Sequence, residues 1–175
     1  MNMLIRFFIM VNLLKQQLKQ QSVSEHLAIE TLTTPTVRSY RILPHDMGFR
    51  HHLPNYRYLS FIELNITQWL MTCCHQKGIK NLGWVIAMQE MVYLKEIKFL
   101  DKMSVNSKLV GWDKKYIYFE TRFFVKHQLM GVGMTKFVLI NGKGKCVPEV
   151  LDMMDEQLSD AIESWNKHQV AVKSA

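Results

Sequence analysis

What the chain has little of narrows it first. Three cysteines among 175 residues, Cys73, Cys74 and Cys146, form no disulfide framework. An odd count without framework spacing belongs to a reducing compartment, so the expected location is cytoplasmic. Charge is not blocked: the net is +7, but the lysines and arginines are scattered. The net charge favours an anionic partner, and the scatter provides no arm for nucleic acid. No apolar run reaches the roughly 20 residues a membrane span needs. No glycine-rich phosphate loop is present; Gly142-Lys143-Gly144-Lys145 is too short and follows a strand end. The adjacent pair His51-His52 has no third ligand at metal spacing, so no metal is expected.

What is present centres on residues 43–74, LPHDMGFRHHLPNYRYLSFIELNITQWLMTCC. From Tyr58 to Cys74 the apolar residues run nearly all the way round a helix, which marks a buried helix. Glu63, Asn65 and Gln68 make it too polar for lipid. The rest of the chain is therefore expected to wrap it. The loop before it gathers Asp46, His51, His52 and Asn55 at the helix start.

The chain divides into four parts. Residues 1–20 open with an apolar run interrupted by Arg6 and followed by Lys15 and Lys19. This is expected to be a helix, lying in a membrane interface through residues 1–14 or packed on its own domain or a mate. Residues 21–35, rich in Gln, Ser and Thr, are expected to be a linker. Residues 36–147 hold a short strand at Thr36–Leu43, the buried helix, and strand-like runs at Trp84–Ile97, Ser104–Trp112, Tyr116–Val125 and Leu129–Ile140. Short connections make these strands antiparallel neighbours. Gly131 and Gly133 share one strand face, so something approaches closely there. Residues 148–175 are expected to hold one helix, Pro148–Val170, with Leu151, Met154, Leu158, Ile162 and Trp165 at helical spacing. The pattern is α+β: a curved antiparallel sheet of about five strands around a long helix, with a helix at each end.

Three segments carry a resemblance. LPHDMGFRHHLPNYRYLSFIEL (43–64), GWDKKYIYFETRF (111–123) and GVGMTKFVLINGKGKCVP (131–148) resemble the hotdog-fold acyl-CoA thioesterases, the 4-hydroxybenzoyl-CoA thioesterase-like group. The branch in question has a hydrophobic amino-terminal segment, and the likeness covers about residues 36–150. The family loop reads Asp-x-Asp-x-x-Gly-His-x-Asn-Asn-x-x-Tyr. Its first Asp falls on Asp46, its His on His52, its second Asn on Asn55 and its Tyr on Tyr58. Its second Asp, often the catalytic carboxylate, falls on Gly48, its Gly on His51 and its first Asn on Pro54. A second gapping, anchored on Pro54-Asn55, puts the catalytic carboxylate on Asp46. Both alignments stand on the sequence alone.

The resemblance implies hydrolysis of acyl-CoA thioesters by a homodimer, with pairing of dimers into tetramers left open. Coenzyme A comes with the substrate and no separate cofactor is implied. Hydrolysis needs a carboxylate to activate water or attack, and donors for the oxyanion. The free amides of the helix start supply such donors. Asp46 and Glu63 are the candidate carboxylates, with His52 and Asn55 beside them. Each has a plain structural reading too: Asp46 as a capping residue, Glu63 as a carboxyl bonded to the sheet or a mate. Tyr58, Arg57, Lys95 and Lys98 are the candidates for substrate contact, the basic ones for the nucleotide. The alternative is a non-catalytic protein that binds acyl-CoA or lipid at a membrane surface.

Overall fold

The computed structural model describes residues 2–19, 28–155 and 157–174. In chain order the elements are α1 (Asn2–Leu18), α2 (Ile29–Thr33), β1 (Thr36–Arg41), α3 (Pro44–Met47) and α4 (Asn55–Gln76). Then come β2 (Gly83–Tyr93), β3 (Lys102–Trp112), β4 (Ile117–Val125), β5 (Gln128–Asn141), β6 (Gly144–Cys146) and α5 (Asp160–Ser174). The segment expected to link α1 to the domain lies partly outside the described residues, and α2 occupies part of the remainder.

The sheet is antiparallel in the order β1-β3-β4-β5-β2, with β6 folded back on β5. Its concave face wraps α4, whose Tyr58, Phe61, Ile62, Ile66, Trp69 and Cys73 are buried. Alternation explains the match. Ile117, Phe119, Thr121, Phe123 and Val125 of β4 all point inward and are buried. Trp69 meets Phe119 edge-on at 4.9 Å between ring centres, and Tyr58 meets Phe123 at 5.0 Å. The close approach at the two glycines comes from β2 and α4. A Cβ at Gly133 would lie 2.6 Å from Met91 Sδ and 2.8 Å from Ile62 Cδ1; one at Gly131 would lie 2.9 Å from the Val92 carbonyl oxygen.

One polar side chain ties the helix to the sheet. Asn65 is buried, and its Nδ2 donates to the Thr36 carbonyl (3.1 Å), the Val105 carbonyl (3.0 Å) and Ser107 Oγ (3.2 Å). A buried amide is tolerated where it finds such partners.

Two of the expected elements differ in extent. The strand expected to run to Ile97 ends at Tyr93, and the Leu94 and Lys95 amides turn onto the Met130 carbonyl. The single closing helix is broken. Pro148–Leu151 forms one 3₁₀ turn, and Asp152 takes a left-handed conformation at φ 61°. Gln157 then pairs with Trp112 before α5 starts at Asp160. The apolar spacing misleads because Met153 goes inward while Met154 points to solvent. α5 covers the convex face of the sheet over Tyr118 and Lys136. There the Lys136 ammonium donates to Asn166 Oδ1 at 2.7 Å, and Tyr118 donates to Asp113 at 2.5 Å. Burial lowers the Lys136 pKa and raises that of Tyr118.

Candidate active site

The loop before α4 is built by local rules. Leu43 precedes the short helix α3, with Pro44 in its first turn. Gly48 follows at φ 60°, a conformation glycine adopts without steric cost. The Leu53 amide donates to the Ile97 carbonyl at 2.8 Å, and Pro54 then caps α4. No side chain caps that helix start. Its first amides, at Asn55 and Tyr56, therefore lack intrahelical acceptors and carry the positive end of the helix dipole.

Asp46 is fully buried, and its carboxylate is engaged. Oδ2 accepts from the Leu43 amide at 3.0 Å and from Arg6 Nη2 at 2.6 Å. His45 Nε2 lies 3.6 Å away. Oδ1 is buried without a partner among the described residues. Arg6 comes from α1, donates also to the Arg41 carbonyl at 3.1 Å, and stacks over the rings of Tyr40 and Phe61. The interruption in the apolar amino-terminal run is thus the partly buried counter-ion of the loop carboxylate. Sequence spacing gave no means of joining two residues forty positions apart.

The other residues singled out fall into two places. At the helix tip, Asn55 is the first residue of α4, with its side chain exposed and its carbonyl accepting from Tyr93 Oη at 3.3 Å. Arg57 reaches back to the His45 carbonyl at 3.1 Å. His52 is half-buried, pairs through its backbone with Lys98, and holds Nδ1 3.5 Å from Glu96 Oε1. Lys95 and Lys98 are exposed on the turn after β2. Tyr58 lies deeper, between Tyr93 and Phe123, and burial pushes its hydroxyl up to about 12.

Glu63 stands apart. It is eight residues beyond Asn55, so about 12 Å down α4 at about 1.5 Å per residue. It points out of the open flank, where the sheet does not wrap, and has no hydrogen-bond or ion-pair partner among the described residues. Met3, Leu4 and Phe7 of α1 and Trp84 of β2 share its groove. Desolvation by these apolar neighbours raises its pKa. The cysteines of α4 are poor nucleophiles: burial pushes Cys73 up to about 12 and Cys74 to about 11.

A helix enclosed by a bent antiparallel sheet, with an uncapped tip, can now be set beside known proteins. The sequence model of the Thioesterase-like superfamily matches residues 42–158. The chain belongs to that superfamily. It is 34% identical over 113 residues to a probable thioesterase of Saccharomyces cerevisiae, covering 61% of this chain and 48% of the yeast protein. The chain thus spans about half the length of that relative. Among solved structures it resembles a probable thioesterase from Bartonella henselae, with TM-score 0.57 and 14% identity, over 65% of this chain and 98% of that one. It also resembles a 1,4-dihydroxy-2-naphthoyl-CoA thioesterase from Synechocystis, with TM-score 0.55 and 10% identity, over 65% and 88%. At these identities the structural likeness concerns the fold, and that fold is the hotdog arrangement the loop motif implied. In this thioesterase-like chain, α1 and α5 lie outside the segment the superfamily describes.

Proposed function

We propose that the protein hydrolyses acyl-CoA thioesters as a homodimer, with Glu63 as the working carboxylate. The observation that carries this reading is the contrast in environment. Asp46 is sealed and neutralised by Arg6, whereas Glu63 is open, unpaired and held in an apolar groove. A raised carboxyl pKa makes a stronger base near neutral pH. Glu63 takes a proton from water as the water oxygen bonds to the thioester carbonyl carbon. The carbonyl oxygen becomes an oxyanion. As that collapses, the carbon–sulfur bond breaks and the proton returns to sulfur, leaving a carboxylic acid and coenzyme A.

The oxyanion needs donors within about 3 Å. The amides at Asn55 and Tyr56 suit this, but about 12 Å of helix separates them from Glu63 of the same chain. Two antiparallel copies of α4 side by side bring one copy's tip to the other copy's Glu63. The outer edge of β2 favours such a pairing. It is an eleven-residue edge strand with Val85, Val92 and Tyr93 exposed, and such an edge invites another strand. Arg57, His52, Lys95 and Lys98 around the tip form a rim of donors suited to the nucleotide phosphates. The test is release of free thiol from a panel of acyl-CoA esters by the folded protein, with sedimentation to establish its mass. No release from any ester by a folded dimer overturns the reading.

A second reading is binding without turnover at a membrane surface. Gly48 in place of the family aspartate favours it, as does the outer face of α1. That face exposes Leu4, Ile5, Phe8, Ile9 and Leu13, with Lys15 and Lys19 following and no acidic residue in the helix. Among the described residues no helix is long and apolar enough to cross a membrane. Co-sedimentation with anionic vesicles, together with acyl-CoA binding and no thiol release, distinguishes this reading from the first.

A further inference from the structure

Two cavities lie end to end along the open flank of α4. The first, about 310 Å³, has Glu63 in its wall and is bounded by Met3 and Phe7 of α1. The second, about 330 Å³, is lined by Leu70, Met71 and Cys74 of α4 and by Ile79 and Leu82 ahead of β2. Thr67 and Trp84 belong to both. The Trp84 indole donates from Nε1 to Thr67 Oγ1 at 3.4 Å, so this pair is the partition between them. The ring is backed by Phe137, 5.5 Å away between centres.

We propose that the two cavities form one channel for an aliphatic acyl chain, that α1 is its near wall, and that Trp84 on Thr67 sets the chain length accepted. This rests on Glu63 being the working carboxylate. The occupant follows from the lining. Around Glu63 the channel offers methionine, leucine, phenylalanine and tryptophan, so a hydrocarbon tail is accommodated while its thioester stays beside the one carboxylate. From Glu63 to Cys74 the helix advances about 16 Å at about 1.5 Å per residue, which suits an extended chain. An aryl group would occupy the first cavity alone.

The partition is weak enough to move. A contact of 3.4 Å is at the long limit for a hydrogen bond, and both residues are only half-buried. With Trp84 in place, chains that fit the first cavity are favoured; longer chains must turn the indole aside. Each further buried methylene is worth roughly a fourfold gain in affinity. Opening the partition therefore acts on long chains selectively. Because α1 lies outside the superfamily segment, this near wall is a property of this chain rather than of the matched domain.

The test uses the full chain and three esters: butyryl-, octanoyl- and palmitoyl-CoA. Trp84→Ala is expected to raise the palmitoyl-to-butyryl ratio of kcat/KM by about tenfold or more. Met71→Trp, which fills the far cavity, is expected to lower the same ratio by about tenfold. Equal changes for all three esters in both variants overturn the channel; if Trp84→Ala does not fold, Met71→Trp decides alone. Glu63→Gln separates the two claims. If it hydrolyses the panel as the parent does, the catalytic reading falls, and the ratios still judge the channel. If the parent hydrolyses none of the esters, displacement of cis-parinaric acid by palmitate and octanoate gives the same comparison. A Trp84→Ala gain for palmitate alone supports the channel, and no selective gain overturns it.

Discussion

Asp46 and Glu63 carry the same charge and meet opposite surroundings. Asp46 stands where the family motif places an acid, yet it is fully buried, accepts from a loop amide and is clamped by Arg6. Glu63 stands where no loop motif points, on the one flank of α4 that the sheet leaves open, with no partner among the described residues. A carboxylate that is neutralised and sealed holds a structure together. One that is desolvated but reachable can accept a proton. On the reading proposed above, the motif position and the working position have separated in this chain, with Gly48 standing where the family's second acid would be.

The largest effect should come from stranding Asp46. Arg6→Met leaves a buried carboxylate without its cation and is expected to cost about 3–5 kcal/mol, read as a lower melting temperature. Replacing both members, Arg6→Met with Asp46→Leu, should recover most of that loss, because burying two apolar groups costs less than stranding one charge. No recovery would mean that Asp46 is needed for something besides its pairing with Arg6.

Next comes Asn65, the polar group on the covered side of α4. Asn65→Ala deprives two backbone carbonyls and Ser107 of their donor and should cost about 2–3 kcal/mol in chemical denaturation. A near-neutral result would show that polar groups on the wrapped side of α4 are dispensable, which breaks the contrast with its open flank.

Glu63→Gln should do the reverse of Arg6→Met. The folded protein holds the Glu63 proton to higher pH than the unfolded chain does. From about pH 4.5 upward, therefore, ionisation of Glu63 works against folding, until the folded-state pKa is passed and the penalty stays constant. Gln carries no such penalty. The variant should melt no lower than the parent, with a difference that grows as pH rises through that window. A clear loss of stability at neutral pH would show that Glu63 has a structural partner. The smallest effect should come from Lys95 and Lys98. Changing both to Ala should raise KM a few-fold with kcat unchanged, and added salt should shrink the difference.

Much of this could be read from the residues. All-round apolarity from Tyr58 to Cys74 called for a wrapped helix, and the alternation at Tyr116–Val125 separated two faces of a strand, of which the Ile117–Val125 face proves to be the one that wraps it. The paired glycines 131 and 133 marked a close approach. Glu63 was visible as a lone acid on an apolar helix, but the flank it occupies depends on where the sheet stops. The Arg6–Asp46 pair was hidden because it joins two elements that only the tertiary fold brings together. Arg6 alone reads as a blemish in an interfacial helix. The break after Leu151 was hidden as well, since Leu151 and Met154 stand at helical spacing while the fold buries Leu151 and Met153, two residues apart across a 3₁₀ turn and its left-handed exit.

The central claim is best tested by measuring acyl-CoA hydrolysis for Asp46→Asn and Glu63→Gln side by side, at low temperature and per mole of folded protein. The account expects Asp46→Asn to turn over as the parent does on that basis, and Glu63→Gln to fall by about a hundredfold or more. A folded Asp46→Asn without activity, beside a Glu63→Gln that hydrolyses normally, would contradict it.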